Sequence, residues 1–302
     1  MFHVEQITQP DIELCPACTS TEHVMYLKLD DYFLSKESFS LKKCTQCGLL
    51  HTVPQPDIEQ LGRYYQSSDY ISHSTDNKSF MNVVYDIIRR STLRSKLALI
   101  KKYSEGTNLL DIGCATGVFL NYCQSQGYNV KGIEPEAKPR EFAINEYKLD
   151  VGNLDYLSSI KNQSIDIVTM WHVLEHVSDI KERMQVIHKI LKDSGTAFIA
   201  LPNPQSYDAQ YYKNYWAAYD VPRHLYHFTQ KSFHSLAAQH SFKVIATIPM
   251  LYDAFYISLL SEKYKNSKLP YLKAIIKGLQ SNIYASRNDN NYSSLIYIIR
   301  KS

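Results

Sequence analysis

The segment 108–120, Asn-Leu-Leu-Asp-Ile-Gly-Cys-Ala-Thr-Gly-Val-Phe-Leu, constrains the fold more than any other part of the chain. Its apolar residues predict a buried strand that ends at Asp111. Gly113 and Gly117 follow in a tight turn, where glycine allows a sharp change of direction and the close approach of a ligand. A helix behind the turn offers free N–H groups and the positive end of its dipole. The Asp111 carboxylate suits an ammonium group on that ligand.

From residue 108 onwards, short apolar runs alternate with amphipathic stretches, which predicts a parallel, doubly wound α/β sheet. A terminal apolar run can enter such a sheet as an antiparallel strand. The predicted strands are 109–112, 130–133, 165–170, 197–201, 243–248 and 295–300. The predicted helices centre on 119–125, 136–147, 180–191 and 231–239, with a helical insertion over about 252–284.

The spacing of the turn residues separates two cofactor classes. A dinucleotide-binding turn has the pattern G-x-G-x-x-G, whereas this chain has D-x-G-x-x-x-G. The segment resembles motif I of the class I S-adenosylmethionine-dependent methyltransferases, whose usual form is D-x-G-C-G-x-G. Ala115 stands where the middle glycine is usual, and its small side chain is expected to be tolerated.

This resemblance implies a Rossmann-like, doubly wound, mostly parallel seven-stranded sheet with the last strand antiparallel. It also implies S-adenosylmethionine as the cofactor. The residues that it assigns to the cofactor site in this turn are Asp111, Gly113, Cys114, Ala115 and Gly117.

Two further segments match the family in the expected order. Glu134, followed by Pro135, ends the second strand 21 positions after Gly113, where a carboxylate can accept hydrogen bonds from both ribose hydroxyls. A solvated glutamate is the alternative. Asn153 can contact the adenine amino group through its amide oxygen, with Leu154 against the ring. A plain turn asparagine remains the alternative there.

The segment around 164–177 resembles the fourth strand of the family and the loop after it. Trp171 and His172 fall at the carboxyl end of that strand, where ligands bind in open α/β sheets. We expect one of them to touch the cofactor. Glu175 and His176 fall at a helix start, so a capping or packing role competes with a catalytic one.

Four cysteines form two C-x-x-C pairs near the N-terminus, with 25 residues between the pairs. Two such knuckles make a closed tetrahedral site that favours Zn²⁺, although thiolate softness alone does not exclude iron. A closed site has no open position for a substrate, which indicates a structural role. The predicted ligands are Cys15, Cys18, Cys44 and Cys47.

The segment 215–229 resembles the W-x-x-x-D-x-P-R-H-L-x-x-F stretch of methyltransferases close to the ubiquinone-pathway O-methyltransferases. Sugar C-methyltransferases with an N-terminal knuckle are a second similar group. His224 could take a proton from the acceptor. Arg223 replaces the acid of the sugar enzymes, and it suggests a carboxylate or phosphate on the substrate. Alternatively, these two residues and His227 order the loop.

The organisation predicted from these features has three parts: a zinc-ribbon-like domain at 1–56, a helical linker or lid at 57–104, and a methyltransferase domain at 105–302 with insertions at 203–229 and 250–290. Tyr64, Tyr65 and Tyr70 either cover the cofactor or pack. The basic residues of the helical stretch 89–102 are interpreted as a solvated face.

The charge and the hydropathy of the chain limit the classes of partner that it is expected to bind. A net charge of +3, from 33 basic and 30 acidic residues, does not favour a nucleic-acid partner. No apolar run reaches the length of a membrane span and no secretory signal is evident, which predicts a cytoplasmic protein with reduced cysteines. The oligomeric state stays open.

The predicted function is methyl transfer from S-adenosylmethionine to a small molecule, either a hydroxylated or anionic metabolite or a nucleotide-linked sugar. Two alternatives remain. The first is an RNA or protein methyltransferase that grips its target with the zinc ribbon. The second is a non-catalytic S-adenosylmethionine-binding protein, for which Ala115 is the motivation.

Overall fold

A computed structural model describes residues 14–65 and 80–302. Its centre is a seven-stranded sheet in the order β10-β11-β8-β7-β4-β5-β6. The β4–β8 strands run parallel, and β11 is antiparallel to both neighbours, as the resemblance implied. The strands are β4 (Asn108–Ile112), β5 (Asn129–Ile133), β6 (Val151–Gly152), β7 (Ile165–Trp171), β8 (Leu191–Pro202), β10 (Phe242–Pro249) and β11 (Ser294–Lys301).

Helices cover both faces of this sheet because successive strand residues point to opposite sides. Leu109 faces a core formed with the helices Phe80–Tyr103, Val118–Ser125 and Ala137–Tyr147. Leu110 faces a core formed with the helices Ile180–Ile190 and Gln230–Gln239. The helices are α1 (Ile58–Leu61), α2 (Phe80–Tyr103), α3 (Val118–Ser125), α4 (Ala137–Tyr147), α5 (Tyr156–Ser159), α6 (Ile180–Ile190), α7 (Tyr207–Tyr212), α8 (Gln230–Gln239), α9 (Asp253–Tyr264) and α10 (Pro270–Ala285).

The N-terminal cysteines lie in a second, smaller antiparallel sheet. It contains β1 (His23–Asp30), β2 (Ser38–Cys44) and β3 (Leu50–Val53), and its fourth strand is β9 (Tyr226–His227). Leu50 pairs with His227 and His51 with Tyr226. The ribbon sheet is therefore completed by a strand from the segment 203–229.

The second insertion differs from the sequence expectation in one respect. The predicted single helical stretch 252–284 is two helices, α9 and α10, because Pro270 starts a new helix at its first position. Within the described residues, no helix is long and apolar enough to cross a bilayer.

Candidate cofactor and acceptor site

The turn after β4 needs its two glycines for steric reasons. Gly113 has φ +76°, and a Cβ there would lie 2.4 Å from Val173 Cγ2. Gly117 has φ +75°, and a Cβ would lie 2.8 Å from that of Ala143. Both backbones occupy the left-handed region and both are packed closely, so a side chain is excluded on two counts.

Ala115 adopts the backbone of the glycine that it replaces. Its φ is +48°, and its side chain is exposed at the surface of the turn. Its N–H donates a hydrogen bond to Glu134 Oε2 at 2.8 Å. Alanine therefore fits sterically, at a left-handed conformational cost of about 1 kcal/mol.

Glu134 lies at the carboxyl end of β5, beside the glycine turn. Its Oε1 accepts the N–H of Glu136 at 2.9 Å. Burial raises the pKa of Glu134, and the two backbone N–H groups counteract that rise. Each oxygen accepts one bond within the protein, which leaves acceptor capacity for ribose hydroxyls. Pro135 follows, and its carbonyl accepts from Arg140.

Asn153 and Leu154 follow β6 and are both exposed. Asn153 Oδ1 accepts the N–H of Tyr156 at 3.3 Å, so the residue orders the start of α5. Cys114, by contrast, is buried, and burial raises the pKa of its thiol.

Asp111 is almost fully buried at the end of β4. Thr169 donates a hydrogen bond to it at 2.6 Å, yet burial raises the pKa of Asp111 to about 7. Lys96 of α2 is the cation of this region: its Nζ lies 4.2 Å from the centre of the Trp171 ring, and burial lowers its pKa to about 8. The interpretation of this helix as a solvated basic face is therefore wrong for Lys96, which faces the protein interior.

Trp171 and His172 end β7 next to the cofactor turn. Trp171 packs edge-on against Phe119 with ring centres 5.5 Å apart. His172 has φ +57° and contacts two carboxylates, Asp253 at 3.0 Å and Glu175 at 3.4 Å. Burial alone would lower the pKa of His172, but the two carboxylates outweigh it and raise the pKa above its ordinary value.

Glu175, His176 and His224 form a cluster whose side-chain ligand atoms lie within 4.8 Å of one another. Glu175 is 1% exposed, and within residues 14–65 and 80–302 neither of its oxygens makes a well-formed hydrogen bond. Burial would raise the pKa of Glu175, but its contact with His172 holds it below its usual range. A carboxylate is thus kept ionised beside two imidazoles.

Backbone carbonyls fix the tautomers of these imidazoles. His176 Nδ1 donates to the Arg223 carbonyl at 3.0 Å, and His224 Nδ1 donates to the Ala218 carbonyl at 2.9 Å. Burial lowers the pKa of His176 to about 4, with His224 adding to the effect. In the neutral form of each ring these bonds leave the lone pair on Nε2, where it can accept a proton or bind a divalent cation.

Arg223 does not face an open acceptor site. It is 1% exposed, and all five of its N–H groups are used. Nε and Nη2 donate to Asp220, while Nη1 and Nη2 donate to Asp31, and Nη1 also donates to the Tyr64 carbonyl. This packing favours a structural role for Arg223 over the anion-binding role that its sequence position suggests.

The tyrosines after the ribbon divide between two roles. Tyr64 is buried in the ribbon and donates to Glu37. The Tyr65 hydroxyl lies 3.0 Å from His176 Nδ1 and therefore borders the histidine cluster. Tyr70 lies outside the described residues. His227 is buried, lies 3.3 Å from Thr52 Oγ1 and belongs to the sheet contact.

The four ribbon thiols converge on one point. Their Sγ atoms all lie within 4.8 Å of one another, with Cys15–Cys47 at 3.6 Å and Cys18–Cys44 at 3.5 Å. A tetrahedral site with zinc–sulfur bonds of about 2.3 Å has sulfur–sulfur edges of about 3.8 Å. The donors and their spacing fit Zn²⁺ in a closed site.

The ribbon also holds the loop that carries His224. Thr52 Oγ1 donates to the His224 carbonyl at 2.6 Å, and the Thr52 N–H donates to the Leu225 carbonyl at 3.0 Å. From the other side, the Leu225 N–H donates to the Glu175 carbonyl at 2.8 Å. The loop is thus fixed between the N-terminal four-stranded sheet and the seven-stranded sheet.

The comparison with known families agrees with this architecture. Residues 85–247, more than half of the chain, match the family described as "Methyltransferase domain". Together with the seven-stranded sheet and its glycine turn, this match shows that the chain belongs to the class I S-adenosylmethionine-dependent methyltransferases.

Curated relatives cover only part of the chain. A ubiquinone biosynthesis O-methyltransferase of Rickettsia conorii is 24% identical over 178 residues, which are 52% of this chain and 62% of that protein. One of Erwinia tasmaniensis is 29% identical over 109 residues, which are 33% of this chain and 44% of that protein. The similarity therefore spans less than two thirds of either relative.

Among solved structures, phosphoethanolamine N-methyltransferase 2 of Haemonchus contortus has a TM-score of 0.52 and 15% identity, covering 93% of this chain and 68% of that chain. At this identity the likeness supports the fold alone. A geranyl diphosphate methyltransferase structure has a TM-score of 0.51 and 12% identity, covering 76% of this chain and 93% of that chain.

Sequence reasoning missed three participants in the site. Lys96 is one charged residue among several on its helix, and Asp253 lies in the insertion far from β7. Asp31, the partner of Arg223, lies in the ribbon. The only available signal was the position of Lys96 directly before the apolar Leu97, on the side of the helix that meets the sheet.

Proposed function

We propose that this protein transfers a methyl group from S-adenosylmethionine to an oxygen of a small hydroxylated molecule. The observation that carries the proposal is the cluster of Glu175, His176 and His224. Glu175 and His176 follow β7, which borders the glycine turn, and His224 comes from the loop 203–229. A non-catalytic protein that only binds the cofactor would not require an ionised carboxylate beside two imidazoles that can accept a proton.

The cofactor, when bound, supplies an electrophilic methyl group on a sulfonium centre. On the protein side, Asp111 would hold its ammonium group, Glu134 its ribose hydroxyls, and Asn153 with Leu154 its adenine. The glycine turn, with Cys114 and Ala115, would lie against it, and Pro135, Trp171 and His172 would complete the site. Buried Asp111 and the half-satisfied Glu134 carboxylate support these assignments.

The residues 175, 176 and 224 would handle the proton. In methyl transfer, the hydroxyl proton of the acceptor would move to Nε2 of His224 or His176, and Glu175 would stabilise the imidazolium that forms. The bound cofactor would supply the methyl group and be left as a neutral thioether, so the proton held on the imidazole balances the charge. Because Arg223 is sequestered, the buried part of the loop offers no guanidinium for an acceptor anion. We therefore favour a hydroxyl acceptor over a carboxylate or phosphate.

We keep the division into a zinc-ribbon-like domain at 1–56, a linker at 57–104 and a methyltransferase domain at 105–302 as part of the proposal, with Zn²⁺ as a structural ion. The contacts of Thr52 and Arg223 support a ribbon that positions the acceptor loop. These contacts give the ribbon a structural role within the enzyme, which argues against a ribbon that binds RNA or a protein target.

The proposal is tested with purified protein, S-adenosylmethionine and a panel of phenols, catechols and sugars, with S-adenosylhomocysteine formation as the signal. His224→Gln should lower kcat by about 10² to 10⁴-fold and leave the Kd for S-adenosylmethionine unchanged. The exposed His234→Gln is the control. Full activity of His224→Gln would refute the base role. Wild-type turnover that requires an added divalent cation would assign the cluster to metal binding.

A further inference from the structure

Helix α10 packs on the protein through small residues. Ala274, Gly278, Ser281 and Ala285 are buried against α9 and its surroundings. A Cβ at Gly278 would lie 2.5 Å from Phe255 Cδ1, so the two helices approach as closely as glycine permits. The inward face of α10 therefore buries little side-chain volume.

The opposite face of the same helix carries its large apolar side chains, and these are exposed. At 100° per residue they fall within an arc of about 100°, which is the stripe that a surface helix normally turns towards a core. Their exposed fractions lie between 43% and 55%. The residues are Leu272, Ile275, Ile276, Leu279 and Ile283.

The segment that contains this helix has a strong charge bias. Between Glu262 and Asp289 the chain has no acidic residue and six basic ones, whereas the whole chain has a net charge of only +3. The six are Lys263, Lys265, Lys268, Lys273, Lys277 and Arg287. Lys273 and Lys277 lie one turn apart on the flank of the helix between the apolar stripe and the packed face, and Lys277 Nζ lies 3.7 Å from the centre of the Tyr211 ring. Basic residues beside an apolar stripe are typical of helices that bind anionic surfaces.

Exposed tyrosines lie on α10 and on the neighbouring helix α9, including the residue that precedes α9. Tyr252, Tyr256 and Tyr271 are each about half exposed or more, at 49%, 61% and 56%. Tyrosine, with an apolar ring and a polar hydroxyl, is favoured where hydrocarbon meets water. An exposed apolar stripe, basic residues on its flank and exposed tyrosines nearby together match the interface of a bilayer.

We propose that α10 lies on the surface of an anionic phospholipid bilayer, with its apolar stripe among the acyl chains and its lysines at the headgroups. Charge favours this occupant over a second copy of the chain, because two such segments facing each other would bring their positive charges together. The proposal stands independently of the proposed function. It places the bilayer one helix from His172, since α9 begins at Asp253, the partner of His172.

The test is co-sedimentation of the full chain with phosphatidylcholine vesicles, with and without phosphatidylglycerol. The protein should bind the anionic vesicles, and added salt should weaken binding. Leu279→Glu should reduce partitioning by at least about tenfold. The double variant Lys273→Gln with Lys277→Gln should reduce it by about 30-fold. Phe142→Glu, on the exposed side of α4, is the matched control.

Circular dichroism and S-adenosylmethionine affinity should be the same in all variants, because every changed side chain is solvent-exposed or at the surface. Equal loss of binding in Phe142→Glu and Leu279→Glu would overturn the proposal, as would no binding of the wild type to anionic vesicles. A wild-type dimer that Leu279→Glu converts to a monomer would also overturn it, because a second copy would then cover the face.

Discussion

The proposed cofactor side and the proposed acceptor side of this protein are assembled from the chain in different ways. On the cofactor side, contacts close over short stretches: the Ala115 N–H reaches Glu134, 19 residues later. On the acceptor side, Arg223 reaches Asp31, 192 residues away, and Thr52 reaches the His224 carbonyl across 172 residues. One side is a local turn at the carboxyl end of a central strand, and the other joins the N-terminal four-stranded sheet to the loop that carries His224.

This difference predicts that the two sides fail separately. Damage to the ribbon should disturb the loop around His224 and leave the glycine turn intact. Damage to the turn should weaken cofactor binding and leave the ribbon folded. Variants on each side test whether the cofactor side and the acceptor side fail separately.

Cys44→Ser removes one of the four thiols, and structural zinc sites contribute about 10–16 kcal/mol to folding. We expect the variant to lose zinc and methyl transfer but to keep its affinity for S-adenosylmethionine. Zinc content, turnover and calorimetry measure the three effects, with Cys123→Ala as a thiol control outside the cluster. A zinc-free variant with normal turnover would show that the ribbon does not support the acceptor side.

Arg223→Met leaves Asp31 buried without its partner. Breaking a buried ion pair from one side costs about 3–5 kcal/mol, so the free energy of unfolding should fall by that amount. Chemical denaturation measures it. Arg63→Met, at the exposed pair with Glu37, should change the same free energy by less than about 1 kcal/mol. Similar losses in the free energy of unfolding for the two variants would argue against Arg223 as the residue that joins the ribbon to the loop.

Asp111→Asn tests the cofactor side. At pH 8 the wild-type carboxylate is ionised, and loss of its bond to an ammonium group should weaken S-adenosylmethionine binding by about 2 kcal/mol. Because the pKa of Asp111 is about 7, wild-type affinity should fall as the pH is lowered through 7. In the variant this dependence should disappear. The range from about pH 6 to about pH 8 extends roughly one unit either side of the pKa. A wild-type affinity that is constant over this range would contradict the role of Asp111 in binding the ammonium group.

The same pKa bears on stability in the absence of cofactor. Since burial raises the pKa in the folded protein above that of the unfolded chain, Asp111 favours folding below about pH 4, and this contribution is lost as the pH rises through 7. Asp111→Asn should therefore be more stable than the wild type above pH 7, measured by denaturant unfolding. A less stable variant at that pH would mean that Lys96 and Thr169 compensate for the burial of the charge.

Ala115→Gly should produce the smallest effect. It relieves a left-handed alanine, so the free energy of unfolding or of cofactor binding should improve by up to about 1 kcal/mol. Thermal unfolding with and without S-adenosylmethionine separates the two. A destabilised variant would show that the alanine methyl group makes a contact in the bound state.

The same contrast explains what the sequence could predict. The strand at 109–112, the glycine turn and Glu134 follow from local spacing, and the structure places them together at one edge of the sheet. The four cysteines also converge, because knuckle spacing leaves few other arrangements.

The remainder depends on contacts between distant residues. Sequence spacing could not indicate that Arg223 meets Asp31, or that Tyr226 extends the ribbon sheet. The burial of Lys96 could not be distinguished from the exposure of Arg94, because both belong to the same basic helix. The two-residue strand β6 is too short for a periodic pattern.

The most direct test of the central claim is calorimetric titration of the wild-type protein with S-adenosylmethionine and S-adenosylhomocysteine, with NAD as the control. We expect micromolar binding of the first two, lost in Glu134→Ala and retained in His224→Gln. Binding of NAD instead, or equal loss in both variants, would contradict a cofactor site that is built separately from the acceptor side.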